Sequence, residues 1–130
     1  MESRFTRRSF LIGAGATCGL FGRASQPATP VSFPVPAGAC DCHTHIFGDP
    51  AKFPLFAGRT YSPETALPEE MERVHAALHM QRVVIVTPSV YGTDNSATLY
   101  GMQAHGANAR GVAVIDEKTP LGELVLNCVS

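Results

Sequence analysis

Arg82-Val83-Val84-Ile85-Val86-Thr87-Pro88-Ser89 decides the fold. Four β-branched apolar side chains follow one another with no polar interruption. A strand with one wet face alternates polar and apolar residues, whereas a continuous run marks a strand covered on both faces, the usual state in a parallel sheet flanked by helices. Pro88 lacks the amide proton a ladder needs, so the strand ends there.

The flanks fit a strand of that kind. Upstream, residues 68 to 80 carry Leu67, Met71, Val74 and Leu78 at helical spacing, and Glu69, Glu70 and Glu72 load the first turn, where the helix dipole favours negative charge. Pro68 suits the first helical position. His75 and His79 lie beside this stripe without the Glu of a His-Glu-x-x-His pattern, and they read as surface or boundary residues rather than a metal pair. Downstream, Ser89-Val90-Tyr91-Gly92-Thr93-Asp94-Asn95 forms a loop, with Thr93 or Asp94 as cap of a helix that runs to about His105 with Leu99 and Met102 inward. Gly111-Val112-Ala113-Val114-Ile115-Asp116 reads as another buried strand, and Thr119-Pro120 opens a further helix with Leu121, Leu124 and Val125 inward.

Before the first helix stands Ala39-Cys40-Asp41-Cys42-His43-Thr44-His45-Ile46-Phe47-Gly48-Asp49. As a strand of period two it projects Asp41, His43 and His45 from one face and Cys40, Cys42 and Thr44 from the other. Two imidazoles side by side can reach one metal ion or one carbonyl oxygen, or they can be satisfied by backbone groups. Gly48 and Asp49 end the strand, which puts the pair at its carboxyl end, where parallel α/β folds bind ligands. Residues 49 to 62 then form a loop rich in Pro, Gly and aromatics, long enough to serve as a lid or wall of a site.

Strand, helix, strand, helix, strand and the start of a helix imply a parallel sheet with right-handed crossovers. Three strands cannot close a barrel, and a (β/α)8 barrel takes about 250 residues. The expected fold is therefore α/β: the N-terminal portion, about three β/α units, of a (β/α)8 TIM barrel.

The chain of 130 residues has a formal net charge of −1, and nothing in it points to nucleic acid. Its charge is uneven. Arg4, Arg7, Arg8 and Arg23 face only Glu2 in the first 24 residues, and the rest of the chain is left with a net charge of −4. Thr6-Arg7-Arg8-Ser9-Phe10-Leu11 is a twin-arginine signature, followed by an apolar run too short to span a bilayer and broken by Gly13, Gly15 and Gly19. The expected organisation is a twin-arginine signal peptide over 1–24, a linker over 25–37 and an incomplete barrel domain over 38–130. Its location is then periplasmic or secreted, and the export machinery is one partner. With Cys18 in the signal, Cys40, Cys42 and Cys128 make an odd set and a poor disulfide framework. Cys40 and Cys42 read as small buried side chains.

Four stretches recur in order in one known family: 41–48, 59–63, 88–95 and 110–116. On these the sequence resembles the amidohydrolase-related TIM-barrel hydrolases, in the branch of 2-pyrone-4,6-dicarboxylate lactonase. The resemblance implies that His43 and His45 are catalytic and line the substrate, and that Tyr61 and Ser89 hold its carboxylate or carbonyl oxygens. It implies a small carboxylated lactone as substrate, and Asp41 supporting a histidine from behind. Some members hold zinc on such histidines, so His43 and His45 are the metal ligands if a divalent metal is used; the pyrone lactonase itself requires none. The family draws a further histidine, arginines and a general-base aspartate from later strands that these four stretches do not include. The leading reading is thus the N-terminal part of an exported lactone hydrolase, too short to be active alone. The alternatives are a decarboxylase of the same superfamily and a non-catalytic vestigial fragment.

Overall fold

A computed structural model of the chain describes residues 29–120 and residue 122. The twin-arginine head, its apolar run, the start of the linker, the helix expected beyond Pro120, Cys18 and Cys128 lie outside the described residues.

Strand β1 (Cys40–Thr44), helix α1 (Pro68–Leu78), strand β2 (Arg82–Val86), helix α2 (Ser96–His105) and strand β3 (Ala109–Val112) follow in order, with short 3-10 turns at Ser89–Tyr91 and Gly106–Asn108. The three strands form one parallel sheet in the order β1-β2-β3, so the continuous apolar run is the central strand. Pro68 opens α1, and Glu70 reaches back to accept the Leu67 N–H at 3.0 Å, which satisfies one of the amides a helix start leaves unpaired. His79 closes α1 in the left-handed conformation, φ 56°, with its N–H on the Ala76 carbonyl. At the start of α2 the Asp94 carboxylate accepts the Ser96 N–H at 2.9 Å, while Asn95 occupies the cap position and its side chain is used elsewhere.

One face of the sheet is sealed. Val83, Ile85, Ile46, Met71, Met102 and Ala109 form a buried cluster, with Leu99 and Tyr100 packed against it. Each such aliphatic side chain contributes about 1.5–3 kcal/mol on burial. Gly101 lets α2 lie close on the strands: a Cβ there would stand 2.6 Å from Ile46 Cγ1 and 2.9 Å from Ile85 Cδ1. The other face behaves differently. Val84 and Val86 are half-buried and Val112 is 48% exposed, so among the described residues only one of the two faces that the apolar run anticipates is covered.

The third strand starts two residues earlier than its sequence suggests and stops at Val112. Its ladder runs from Val83↔Ala109 to Val86↔Val112, so β3 ends where β2 ends and there is nothing further to pair with. Val114 and Ile115, expected inside the strand, are 36% and 53% exposed. Val114 is held instead by Asn95, which accepts its N–H at 2.9 Å and donates to its carbonyl at 3.0 Å.

The stripe of α1 is also rotated. Pro68, Met71, His75 and Ala77 face inward, whereas Val74 is 46% exposed. His75, expected at the surface or boundary, is buried at 5% exposure. A buried imidazole needs a partner, and it has one in Asp41 of β1, whose Oδ2 lies 3.0 Å from His75 Nε2.

Candidate functional site

The His-x-His segment does not keep the period of two throughout. Cys40 pairs with Arg82 and Asp41 with Val83, but the next pairing is Thr44 with Ile85, so β1 spends three residues where β2 spends two. This is a β-bulge, which leaves the inserted residues without ladder partners and re-aims their side chains. Asp41 and Thr44 lie opposite the buried Val83 and Ile85, which puts both on the helix-covered face. Asp41 therefore does not share a face with His43 and His45, and Thr44 does not stand on the face opposite Asp41. Cys42 is exposed and Cys40 only half-buried, so neither is the buried packing group expected from the sequence. Burial and the neighbouring Cys42 thiol push the Cys40 thiol above its ordinary range, which keeps it protonated and a poor nucleophile.

His43 and His45 do come together. Their ring centroids are 5.1 Å apart with planes at 87°, and Phe47 backs His45 at 5.9 Å. His45 Nδ1 lies 2.8 Å from the carbonyl oxygen of Val86, the last residue of β2. A carbonyl only accepts, so Nδ1 carries the proton and Nε2 presents its lone pair. The neighbouring strand thus fixes both the orientation and the tautomer of His45, the role outer-shell groups play for reactive or ligating histidines.

Paired histidines are common metal ligands, and the spacing of this pair can be compared with that of two ligands on one ion. With Zn–N bonds of 2.0–2.1 Å, two imidazoles on one tetrahedral ion have centroids about 5 Å apart, close to the spacing here. A catalytic zinc takes three protein ligands. Among the described residues no group of three His, Cys, Asp or Glu could hold an ion. The histidine pair has the spacing of two ligands, and among the described residues no third ligating group joins it.

Ser89 stands exposed at the first position of the turn after β2, three residues beyond Val86, at the same carboxyl edge as His45 after β1. Tyr61 is 47% exposed on the long loop, with no hydrogen bond to either histidine or to Ser89 among the described residues. The loop is pinned by its other aromatics. Phe47, Phe53 and Leu55 pack on a second buried cluster of Val90, Tyr91 and Ala97, and Phe56 N–H donates to the Val90 carbonyl at 2.8 Å. The Tyr91 hydroxyl accepts the buried Gly48 N–H at 3.0 Å, which ties the end of β1 to the turn after β2. Burial raises the Tyr91 pKa above its usual value.

Sequence reasoning places Tyr91 and Asn95 within a motif without giving them a role. Asn95 Oδ1 also accepts from Thr87 Oγ1 at 2.8 Å. Thr87 has one proton to give, so Thr98 Oγ1 at 2.7 Å is the donor of the pair they form. Asn95 thereby ties the end of β2, the start of α2 and the segment after β3 into one carboxyl edge. His75 escapes sequence reasoning for another reason: it stands four residues after Met71, on the stripe by spacing, but a histidine does not count as apolar in a periodicity reading.

The sequence matches the amidohydrolase family over residues 40–123. It is 34% identical over 100 residues to the 2-pyrone-4,6-dicarboxylate hydrolase of Comamonas testosteroni, covering 77% of this chain and 32% of that protein. It is 35% identical over 85 residues to the 4-sulfomuconolactone hydrolase of Rhizobium radiobacter, covering 65% and 28%. A solved structure of a probable 2-pyrone-4,6-dicarboxylic acid hydrolase from Acinetobacter baumannii, with citric acid bound, superposes with a TM-score of 0.63 at 26% identity, covering 70% of this chain and 34% of that one. The chain spans about a third of the length of these relatives. Fold, order of elements and sequence agree: the chain belongs to the amidohydrolase family, and its three parallel strands with their two crossover helices are the N-terminal portion of a TIM barrel.

Proposed function

We propose that this chain furnishes the first part of the active site of a lactone hydrolase acting on a small carboxylated cyclic ester of the 2-pyrone-4,6-dicarboxylate type. The observation that carries this reading is the imidazole pair at the carboxyl edge, 5.1 Å apart, with His45 Nδ1 committed to Val86. Opening a lactone by water needs a lone pair close to the carbonyl carbon and donors where negative charge develops. His45 Nε2 offers the lone pair, and His43 stands beside it to hold the carbonyl or the water. The Ser89 hydroxyl donates to a substrate oxygen without adding charge, and Tyr61, exposed on the long loop, offers a second hydroxyl of the same kind. If the complete enzyme uses zinc, His43 and His45 are two of its ligands.

The test is a chimera in which residues 38–120 replace the matching third of the Comamonas hydrolase, assayed with 2-pyrone-4,6-dicarboxylate. We expect ring-opened acid as product and a loss of at least about 10²-fold in kcat/KM for His45→Ala, in the range general acid–base groups contribute. Carbon dioxide as product assigns the decarboxylase chemistry instead. A folded chimera with no turnover assigns this segment a non-catalytic role. Either result overturns the reading.

For residues 1–24 we propose twin-arginine export to the periplasm or beyond, on the strength of Arg7-Arg8 ahead of a short apolar run. Replacing both arginines by lysine should leave the protein in the cytoplasm. Unchanged export would assign the general secretory route.

A further inference from the structure

We infer that His75, buried on α1, is a positioning residue for the imidazole pair, acting through Asp41 on the β1 bulge. The inference rests on the reading of His43 and His45 as the reactive edge.

The bulge removes the ladder acceptor that the His43 N–H would otherwise have, since neither Cys42 nor His43 has a partner on β2. Asp41 Oδ1 replaces it, accepting the His43 N–H at 3.1 Å. The other oxygen of the same carboxylate, Oδ2, accepts from His75 Nε2 at 3.0 Å. A carboxylate accepts and does not donate, so His75 carries its proton on Nε2. The two oxygens of Asp41 thus divide the work, one holding the bulge and the other fixing the carboxylate to a helix. Asp41 on its own is a short side chain with a free χ2, and one hydrogen bond to a backbone amide does not select a single rotamer. The second bond does.

The setting of His75 supports this. Its side chain is 6% exposed against 31% for Asp41, and the His105 ring packs against it edge-on at 5.7 Å. A leucine would fill this place on the α1 stripe without the desolvation cost a buried imidazole carries. The polar group makes sense as the donor that orients Asp41. The consequence reaches the site by geometry. Asp41 holds the backbone of His43 inside the bulge, next to Thr44, which returns to the helix face, and two residues before His45, whose ring stands 5.1 Å from that of His43.

The test uses the full chain, labelled with 15N, and compares His75→Leu, which keeps bulk and removes the donor, with His75→Gln, which keeps an amide donor near the Nε2 position. Two quantities are read: the exchange rate of the His43 amide relative to that of Ile85 in the sheet centre, and the cross-relaxation between the His43 and His45 rings. We expect His75→Leu to speed His43 exchange about tenfold relative to Ile85, the size of one charge-assisted hydrogen bond, and to weaken the ring contact. His75→Gln should restore both. Unchanged His43 exchange in His75→Leu overturns the inference, and so does acceleration shared equally by Ile85, which would mark a general structural role. So does a His43 amide that exchanges at the free-peptide rate in the unaltered chain. No lactone enters the experiment, so its failure is distinct from failure of the hydrolase reading.

Discussion

The two faces of the β1-β2-β3 sheet are built from the same strands and meet opposite conditions. On the helix side Val83 and Ile85 are 1% and 0% exposed, sealed by α1 and α2 within one continuous stretch of chain. On the other side Val84 and Val86 are only half-buried, Arg82 and Arg110 are exposed, and the imidazole pair stands open. The first face is completed by crossovers of a few tens of residues and needs nothing remote. The second is the kind of face that a barrel covers with side chains from strands distant in sequence. Stability is therefore concentrated on one side and chemistry on the other, and the bulge in β1 is where the chain passes between them.

Substitutions can break or sharpen this contrast. The largest effect belongs to the sealed face. Ile85→Ala should cost about 2–5 kcal/mol, measured as a lowered urea midpoint, because a fully buried aliphatic leaves a cavity between the sheet and α2. If it cost no more than an exposed substitution, the helix side would not be a core.

Next comes the polar stitching at the carboxyl edge. Thr98→Val keeps the shape but removes the donor to Thr87 Oγ1, a buried partner, and should cost about 1–3 kcal/mol by the same measurement. A neutral result would mean that water replaces the bond and that the edge is wetter than its burial suggests.

A smaller effect comes from Tyr91, and it has a pH signature. Burial raises its pKa, so the neutral phenol is favoured by folding. Its contribution is fully present below the unfolded value of about 10 and is lost as pH rises through the folded value. The urea midpoint should therefore fall more steeply above about pH 10 than that of Tyr91→Phe. The variant should itself lose about 1 kcal/mol at neutral pH, because Gly48 N–H loses its acceptor. Parallel pH curves for the two proteins would show that Tyr91 stays neutral or solvated regardless of folding.

The smallest effect is expected on the open face. Val112→Thr, at a position 48% exposed, should stay within about 0.5 kcal/mol. A larger loss in this chain would mean that the face is covered in solution, which removes the asymmetry between the two sides.

Sequence by itself determined the parallel order, the 82–86 strand, the extents of α1 and α2 to within a few residues, and the adjacency of His43 and His45. All of these follow from local periodicity and from proline and glycine punctuation, which act within one turn or one strand. Only the tertiary structure decided which face Asp41 takes. The bulge exists because β1 and β2 pair with three residues against two, a property of two segments about forty residues apart. It likewise decided that β3 stops at Val112, because a ladder ends where its partner ends, whatever apolar residues follow. The burial of His75 has the same origin. Hydrophobic periodicity counts apolar side chains, and a histidine joins the buried set only when a carboxylate from another strand meets it there.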